Sequence, residues 1–563
     1  MKRLDESLAQ IALRAYRRWC VIEDSSAELA EALRARGKDV VEDSVEYDLI
    51  FVHDLSALPA DLPPHVHVFT KDPAALPEGW REWIRWSLDA DGALCDGEAR
   101  ATLRLILPPG YDFAAHARAL LLAREAASAM ELLENIAPAF LRDEVERARV
   151  ATERLLCMLP WDKAQGDAGR LNRFARALDE FNCAATGLPR EPLAYECMAA
   201  LWERAGRSDM RLRLISTYAV ARDEPPHEIP PPPQAYDAPA PLVPAGFRPR
   251  LLFLVHGASD YGSDTLYDGL CALIGDAQVV EFPWKPTLHG QHRERTMGYP
   301  CYFERRGAAQ SIGEIIAALE AGAFDCVIYS DTLGTLDPAM VARLAQAGRK
   351  VPWFVLDQWD QLGDYRGEIG ARLGGVVPRA WFKREKLLGA DYGAATHALP
   401  FAYPEAYAGP APDWSAREEF FWAGKAACGT RALMLAHVQR HFGFDTAARF
   451  TQDEYRARLR TSLIGLSLFG NGFDTVRYWE LPAHGVMLLA ERPPIEIPNN
   501  FVDGESAVFF DDLAGLEERL AYCLTHPDEA LRIAQAGHLH WQKHHTTRAR
   551  AADLLGWMAR YLG

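Results

Sequence analysis

The chain has 563 residues, 49% of them hydrophobic and 25% charged, with a formal net charge of −17. That length holds three or four domains at roughly 150 residues each, and the acidic excess repels phosphate backbones and anionic lipid, which argues against nucleic acid and membrane surfaces as partners. No apolar run approaches the ~20 residues needed to span a bilayer. The N-terminal segment MKRLDESLAQIALRAYRRWC breaks its apolar positions with charge, unlike a signal-peptide core, and the ten cysteines include no CxxC pair. A cytoplasmic chain with reduced thiols is expected.

In chain order, residues 1–110 alternate helix and strand signals. SSAELAEALRARG has helical spacing, and VEYDLIFVHDL and HVHVFTKD are short apolar runs with strand character. A small α/β domain is predicted, with no cofactor because no glycine-rich loop follows its strands. Residues 111–222 carry i, i+3, i+4 apolar stripes and predict a helical domain. Within it EPLAYECMAALWERAGRSDMRLRLISTYAVA reads as two helices broken at Gly206. The pair is TPR-like, although no 34-residue period repeats. Residues 223–249 are dense in proline, which continues neither helix nor sheet, and read as a semi-rigid linker.

Beyond the linker, RLLFLVHG, QVVEF, FDCVIYSD and VPWFVLD are strand candidates separated by helical patterns such as SIGEIIAALEAG and DPAMVARLAQAG. Steady strand–helix alternation predicts a parallel, doubly wound sheet over residues 250–408. The alternation restarts over residues 409–563 with EEFFWAG, TRALMLAHVQRHFG and GVMLLAE. The tail is helical with a break at His526-Pro527. The fold class is therefore α/β, with two Rossmann-like lobes in the C-terminal half.

The densest motif is RYWELPAHGVMLLAERP. It places Glu480 on an amphipathic helix just ahead of a buried strand, with Arg477 one turn earlier. In open α/β sheets ligands bind beyond the C-terminal strand ends. A carboxylate there can accept two ribose hydroxyls or can support the helix N-terminus. From Glu418 to Leu555 the chain resembles the donor-binding lobe of group 1 glycosyltransferases, nearest the spore-maturation-protein-B-like branch, whose R-x-x-E-x-x-x-x-G pattern falls on Arg477, Glu480 and Gly485. The closing HHTTRARAADLL resembles the family's terminal His-Thr and Arg segment.

The resemblance implies the two-lobed GT-B fold, a nucleotide-sugar donor as substrate, no cofactor and no obligate metal. It assigns Lys425 and Arg431 to the donor diphosphate and Glu480 to the ribose. The family's first glutamate, eight positions before the second, is replaced by Gly472, leaving Asn471 or Asp474 as its substitute. Gly470 and Gly472 either let backbone approach a ligand or only make a tight turn.

A catalytic base is expected in the loop after the first strand of the N-terminal lobe. His256, Asp260 and Asp264 are the candidates there, with Asp357 of the DQWD tetrad as another. Histidine suits the task because an imidazole titrates near neutrality. The polar and basic stretch holding His289, His292, Arg293 and Arg295 is a candidate acceptor or phosphate segment. His540 and His544 share a helical face, but no nearby carboxylate or cysteine completes a metal set; the acids at 89 and 91 form a further tempting pair. The expected protein is a metal-independent hexosyltransferase-type enzyme, with residues 1–222 recognising a protein or glycan acceptor. A catalytically silent scaffold and a GT-B epimerase remain alternatives.

Overall fold

The structure is a computed structural model. It describes residues 18–22, 31, 34–35, 39–41, 49–52, 55–58, 62, 66–70, 75–88, 101–134, 136, 141, 143–159, 167–184, 188, 191–233, 239–296, 300–332, 334–415 and 417–563. The acids at 89 and 91, and most of the helix expected over residues 25–37, lie outside them. The chain divides into two compact units, Met1–Pro160 and Trp161–Gly563.

The first unit holds a six-stranded sheet of β1 (Arg18–Ile22), β2 (Asp39–Val41), β3 (Leu49–Val52), β4 (His67–Thr70), β5 (Arg81–Leu88) and β6 (Ala101–Leu107), ordered β2-β1-β3-β4-β6-β5. β6 runs antiparallel to both of its neighbours, β4 and β5, and the other pairs are parallel. Along β6, Leu105 and Leu107 enter one core cluster and Ile106 another, as a two-residue period requires of a sheet buried on both faces. Helices α1 (Phe113–Leu122), α2 (Ala126–Glu134) and α3 (Glu144–Met158) supply apolar side chains to the first cluster.

The second unit opens with α4 (Asp167–Cys183), α5 (Pro192–Arg204) and α6 (Ser208–Val220). The helices predicted over residues 111–222 are thus shared between the units. α1–α3 bury their stripes on the first sheet, whereas α4–α6 belong with the C-terminal half. Gly206, at φ 77°, makes the break between α5 and α6. The proline-rich segment docks through its C-terminal part: Val243 and Phe247 pack on the core of the first lobe, and the Pro241 carbonyl lies so close to Gly556 that a Cβ there would collide with it.

The first lobe has six parallel strands, β7 (Leu251–Leu254), β8 (Val279–Phe282), β9 (Cys326–Tyr329), β10 (Trp353–Asp357), β11 (Ala380–Lys383) and β12 (Thr396–Ala398), ordered β12-β11-β10-β9-β7-β8. Its helices are α7 (Tyr261–Ile274), α8 (Ile312–Glu320), α9 (Pro338–Ala347), α10 (Arg366–Arg372) and the short α11 (Glu405–Ala408). β7, β9 and β10 are buried at every position, as a parallel sheet covered on both faces demands.

The second lobe has β13 (Glu418–Phe421), α12 (Arg431–Phe442), α13 (Gln452–Thr461), β14 (Ser462–Ser467), α14 (Val476–Ala483), β15 (Met487–Glu491), β16 (Val508–Phe510), α15 (Leu513–Thr525) and α16 (Pro527–His544). Its four strands are parallel and stand in chain order. The last helix, α17 (Thr547–Leu562), returns to the first lobe and packs on α7, burying Ala551, Leu554, Leu555 and Met558 in that lobe's core. Among the described residues no helix is long and apolar enough to cross a membrane.

α4–α6 reach both lobes. Asn172 exchanges two hydrogen bonds with the Asp364 backbone in the first lobe, at 2.8 and 2.5 Å. Asn182 donates to the Asn471 carbonyl in the second, at 2.9 Å. Arg207 donates to the carbonyls of Leu388 and Pro494, one in each lobe.

Candidate active site

A cavity of about 360 Å³ opens between the two lobes. One wall is built from the C-terminal ends of first-lobe strands: His256, Ser259 and Asp260 after β7, Ser330 and Thr332 after β9, Gln358 to Asp360 after β10, and Arg384 after β11. The other wall is the turn after β14, including Gly470, Asn471, Gly472, Asp474 and Thr475. This is where an open parallel sheet exposes its loops and helix N-termini to ligands.

His256 and Asp260 form a pair in the first wall. Nε2 of His256 stands 3.3 Å from Oδ2 of Asp260, while Nδ1 is buried with no hydrogen-bond partner. Asp260 is the N-cap of α7, its Oδ1 accepting from the Gly262 N–H at 3.1 Å, and the Ser263 hydroxyl also donates to it. Burial pushes this carboxyl up, but hydrogen bonds from His256 and Ser263 outweigh it and hold Asp260 below its usual range. An anion therefore sits beside the imidazole.

Two other candidate bases are spent elsewhere. Asp264 lies on α7 rather than in a loop; it is fully buried and accepts from Lys285 Nζ at 2.5 Å. Asp357 ends β10 and accepts from Lys383 Nζ at 2.8 Å. Neither lines the cavity; in the DQWD tetrad it is Gln358, Trp359 and Asp360 that do.

In the second lobe, three predicted cations gather at the head of α12. The guanidiniums of Arg431 and Arg477 lie 5.5 and 4.9 Å from the Trp422 ring centroid, and Lys425 is exposed in the intervening loop. Arg431 donates to the carbonyls of Lys425 and Leu468, both at 3.0 Å, so its fork braces the loops after β13 and β14. Burial, with Arg477 nearby, lowers its pKa to about 10. Nε of each arginine is buried and unpartnered. Arg477 packs so tightly on Gly424 that a Cβ there would lie 2.8 Å from Nη2.

Glu480 differs from its expected role. It is buried, and its two carboxylate oxygens accept from the hydroxyls of Tyr403, at 3.2 Å, and Tyr455. Burial raises its pKa, and each of its oxygens already holds one tyrosine hydroxyl.

Asp474 and Gly472 join the lobes instead of standing free for a sugar. Asp474 accepts from Phe401 N–H and Trp479 Nε1, both at 2.6 Å. Glu385, fully buried at the end of the first-lobe sheet, accepts from the N–H groups of Phe473 and Asp474 at 3.1 and 3.0 Å. A Cβ on Gly472 would strike that carboxylate. Gly470 makes a tight turn, donating to the Gly472 carbonyl at 2.8 Å. Asn471 is exposed at the rim, its carbonyl held by Asn182. Sequence reasoning missed Arg384, which pairs with Asp360 and Glu385 and lies 4.2 Å from the Phe401 ring centroid.

This junction has a pH signature. Burial pushes Asp474 up to about 7 although Arg384 opposes it. A carboxyl whose folded pKa exceeds its unfolded one adds stability that is complete below the unfolded pKa and is lost as pH rises through the folded one. Asp474→Asn is therefore expected to flatten the fall in melting temperature between about pH 4 and pH 7, measured by thermal melts across that range. An unchanged slope contradicts the assignment.

In the basic segment, His289 stacks on Trp284 at 3.8 Å and uses both nitrogens, on Glu281 at 2.6 Å and the Arg305 carbonyl at 2.8 Å; it is a structural residue. His292, Arg293 and Arg295 are exposed, and the Arg295 carbonyl accepts from Ser259 Oγ at the cavity rim. In the tail, His540 is tied to the Asn499 carbonyl at 2.7 Å and its ring lies 4.9 Å from that of His544.

Residues 417–556 match a family model described as glycosyl transferase-like, a segment that holds the whole second-lobe sheet. The C-terminal half thus has two Rossmann-like lobes, and the second of them is similar to that glycosyl transferase-like family. No curated protein matches the chain. Similar solved structures include Anabaena HepE in complex with UDP and glucose, at 9% identity and a TM-score of 0.38, covering 55% of this chain and 100% of that one. A glycosyltransferase from Rickettsia africae has 10% identity and a TM-score of 0.34, with 55% and 97% covered. Sucrose-phosphate synthase from Thermosynechococcus elongatus has 12% identity and a TM-score of 0.32, with 55% and 98% covered.

Proposed function

We propose that the C-terminal half transfers a sugar from a nucleoside-diphosphate donor to a hydroxyl acceptor, with side-chain cations in place of a metal at the diphosphate. One observation carries the reading: Arg431 and Arg477 share Trp422 at a helix N-terminus, and neither is hydrogen-bonded to a carboxylate among the described residues. Glu491 and Glu480 act on Arg431 and Arg477 through space, and a diphosphate adds a hydrogen-bonded counter-charge. The head of α12 adds its own unpaired N–H groups and positive dipole end.

Lys425 and Arg477 grip the diphosphate, and Arg431 holds the two loops in register. The acceptor hydroxyl gives its proton to the imidazole of His256, its oxygen bonds the anomeric carbon, and the bond from that carbon to the diphosphate breaks. The new charge on the leaving group falls among the cations. Closure of the lobes excludes water from the donor. Residues 1–222 recognise the acceptor, a protein or a glycan.

Arg477→Ala is expected to weaken binding of a nucleoside diphosphate by about ten- to a hundredfold, the loss of one charge-assisted contact. Calorimetric titration with uridine, guanosine, cytidine and thymidine diphosphates measures it. If none binds, or if Arg477→Ala binds as tightly as the parent, the transferase reading fails. The tyrosine hydroxyls on both oxygens of Glu480 favour the rival reading, a silent scaffold, and absence of binding in that titration selects it.

A further inference from the structure

We propose that His437, His441 and Glu517 form a binding site for one divalent cation of the Zn²⁺ class on the second lobe, apart from the cleft. His437 and His441 stand four residues apart on α12, so one helical face presents both. Glu517 reaches the same place from α15, and the three residues offer ligand atoms within 4.8 Å of one another. Nε2 of His437 lies 2.9 Å from Oε2 of Glu517, and the two imidazoles stack with centroids 4.0 Å apart.

The donor set is two imidazole nitrogens and one carboxylate oxygen. That combination suits a borderline cation such as Zn²⁺ with an open position for water, and is poorly matched to Mg²⁺ or Ca²⁺, which take oxygens. The ligands run from inside to outside: His437 is 3% exposed, the Glu517 side chain is 44% exposed and His441 is exposed, leaving a path for the ion. A cation entering between His437 and Glu517 takes the place of the bridging hydrogen, which moves to Nδ1, a buried nitrogen with no hydrogen-bond partner. Arg440 opposes the cation but pairs with Asp223 at 3.9 Å.

The site joins α12 to α15, and both helices also pack on α6. His437 follows Arg431 by six residues, about 9 Å along the helix axis at 1.5 Å per residue. The ion would therefore fasten the helix whose head holds the cations without taking part in transfer, so the proposal stands independently of the transferase reading.

The test uses the full chain, stripped with a chelator and titrated calorimetrically with Zn²⁺, with Co²⁺ absorption reporting geometry and thermal melts reporting stability. His441→Ala and Glu517→Gln alter exposed ligands, so the fold is retained. Each is expected to lower Zn²⁺ affinity on the order of tenfold to a hundredfold and to abolish the Zn²⁺-dependent rise in melting temperature. His544→Ala, in the histidine-rich tail, is expected to leave both unchanged. Equal Zn²⁺ affinity in the parent and His441→Ala, or loss of binding in His544→Ala alone, overturns the proposal.

Discussion

Replacing His256 with alanine is expected to reduce turnover by about 10²- to 10⁴-fold, the usual worth of a general base, with nucleoside-diphosphate affinity unchanged. The expectation rests on three facts. His256 lines the inter-lobe cavity, its Nε2 is turned to Asp260, and its Nδ1 has no hydrogen-bond partner. Asp260→Asn separates charge from shape. Asparagine caps a helix about as well as aspartate, so α7 keeps its start, while the anion beside the imidazole is removed. That variant is expected to lose less turnover than His256→Ala. Wild-type turnover in His256→Ala rules this histidine out as the base, and wild-type turnover in Asp260→Asn leaves the aspartate as a cap alone.

The lobes are readable in the sequence where their strands are continuous apolar runs. β7, β9, β10, β13 and β15 all fall on segments that stand out by composition. β14 does not, because SLIGLS carries a glycine where bulk is expected. The structure gives the reason: a Cβ on Gly465 would collide with Leu481, so the glycine lets α14 press against the strand. α7 was hidden in the same way. Gly262 and Gly269 make its start resemble a loop, yet Gly269 is where the Thr547 carbonyl of α17 approaches the helix.

The candidate site was half legible for a related reason. His256 and Asp260 lie together because a strand end and a helix cap are local features. The lysines that occupy Asp264 and Asp357 are 21 and 26 residues away, and the Glu385–Asp474 junction spans 89 residues. Nothing in local spacing announces such pairings. Glu480 shows the same limit, since its tyrosine partners are 77 and 25 residues distant.

Arg207→Ala is expected to destabilise the second unit by about 3–5 kcal/mol, the cost of leaving a buried charge without its partner. Arg207 is 3% exposed and grips Asp209 with two hydrogen bonds, both 2.8 Å, while Nη1 reaches the carbonyls of Leu388 and Pro494 at 3.3 and 3.4 Å. Those two carbonyls belong to a seam between the lobes, where Leu388 N–H donates to Pro494 at 2.9 Å and Lys386 pairs with Glu496 at 2.7 Å. One guanidinium thus ties α4–α6 to both lobes at once. Burial pushes the Asp209 carboxyl up, but Arg207 overcomes this and holds it below its usual range. Its contribution is therefore present above the unfolded carboxylate pKa and is lost as pH falls through the folded one. Denaturant unfolding measures the loss, and the double variant Arg207→Ala/Asp209→Asn is expected to recover part of it because the orphaned charge is gone. If the double variant is no more stable than Arg207→Ala, the deficit comes from the seam carbonyls rather than from Asp209. If Arg207→Ala unfolds at the parent midpoint, the helices do not hold the lobes together through this residue.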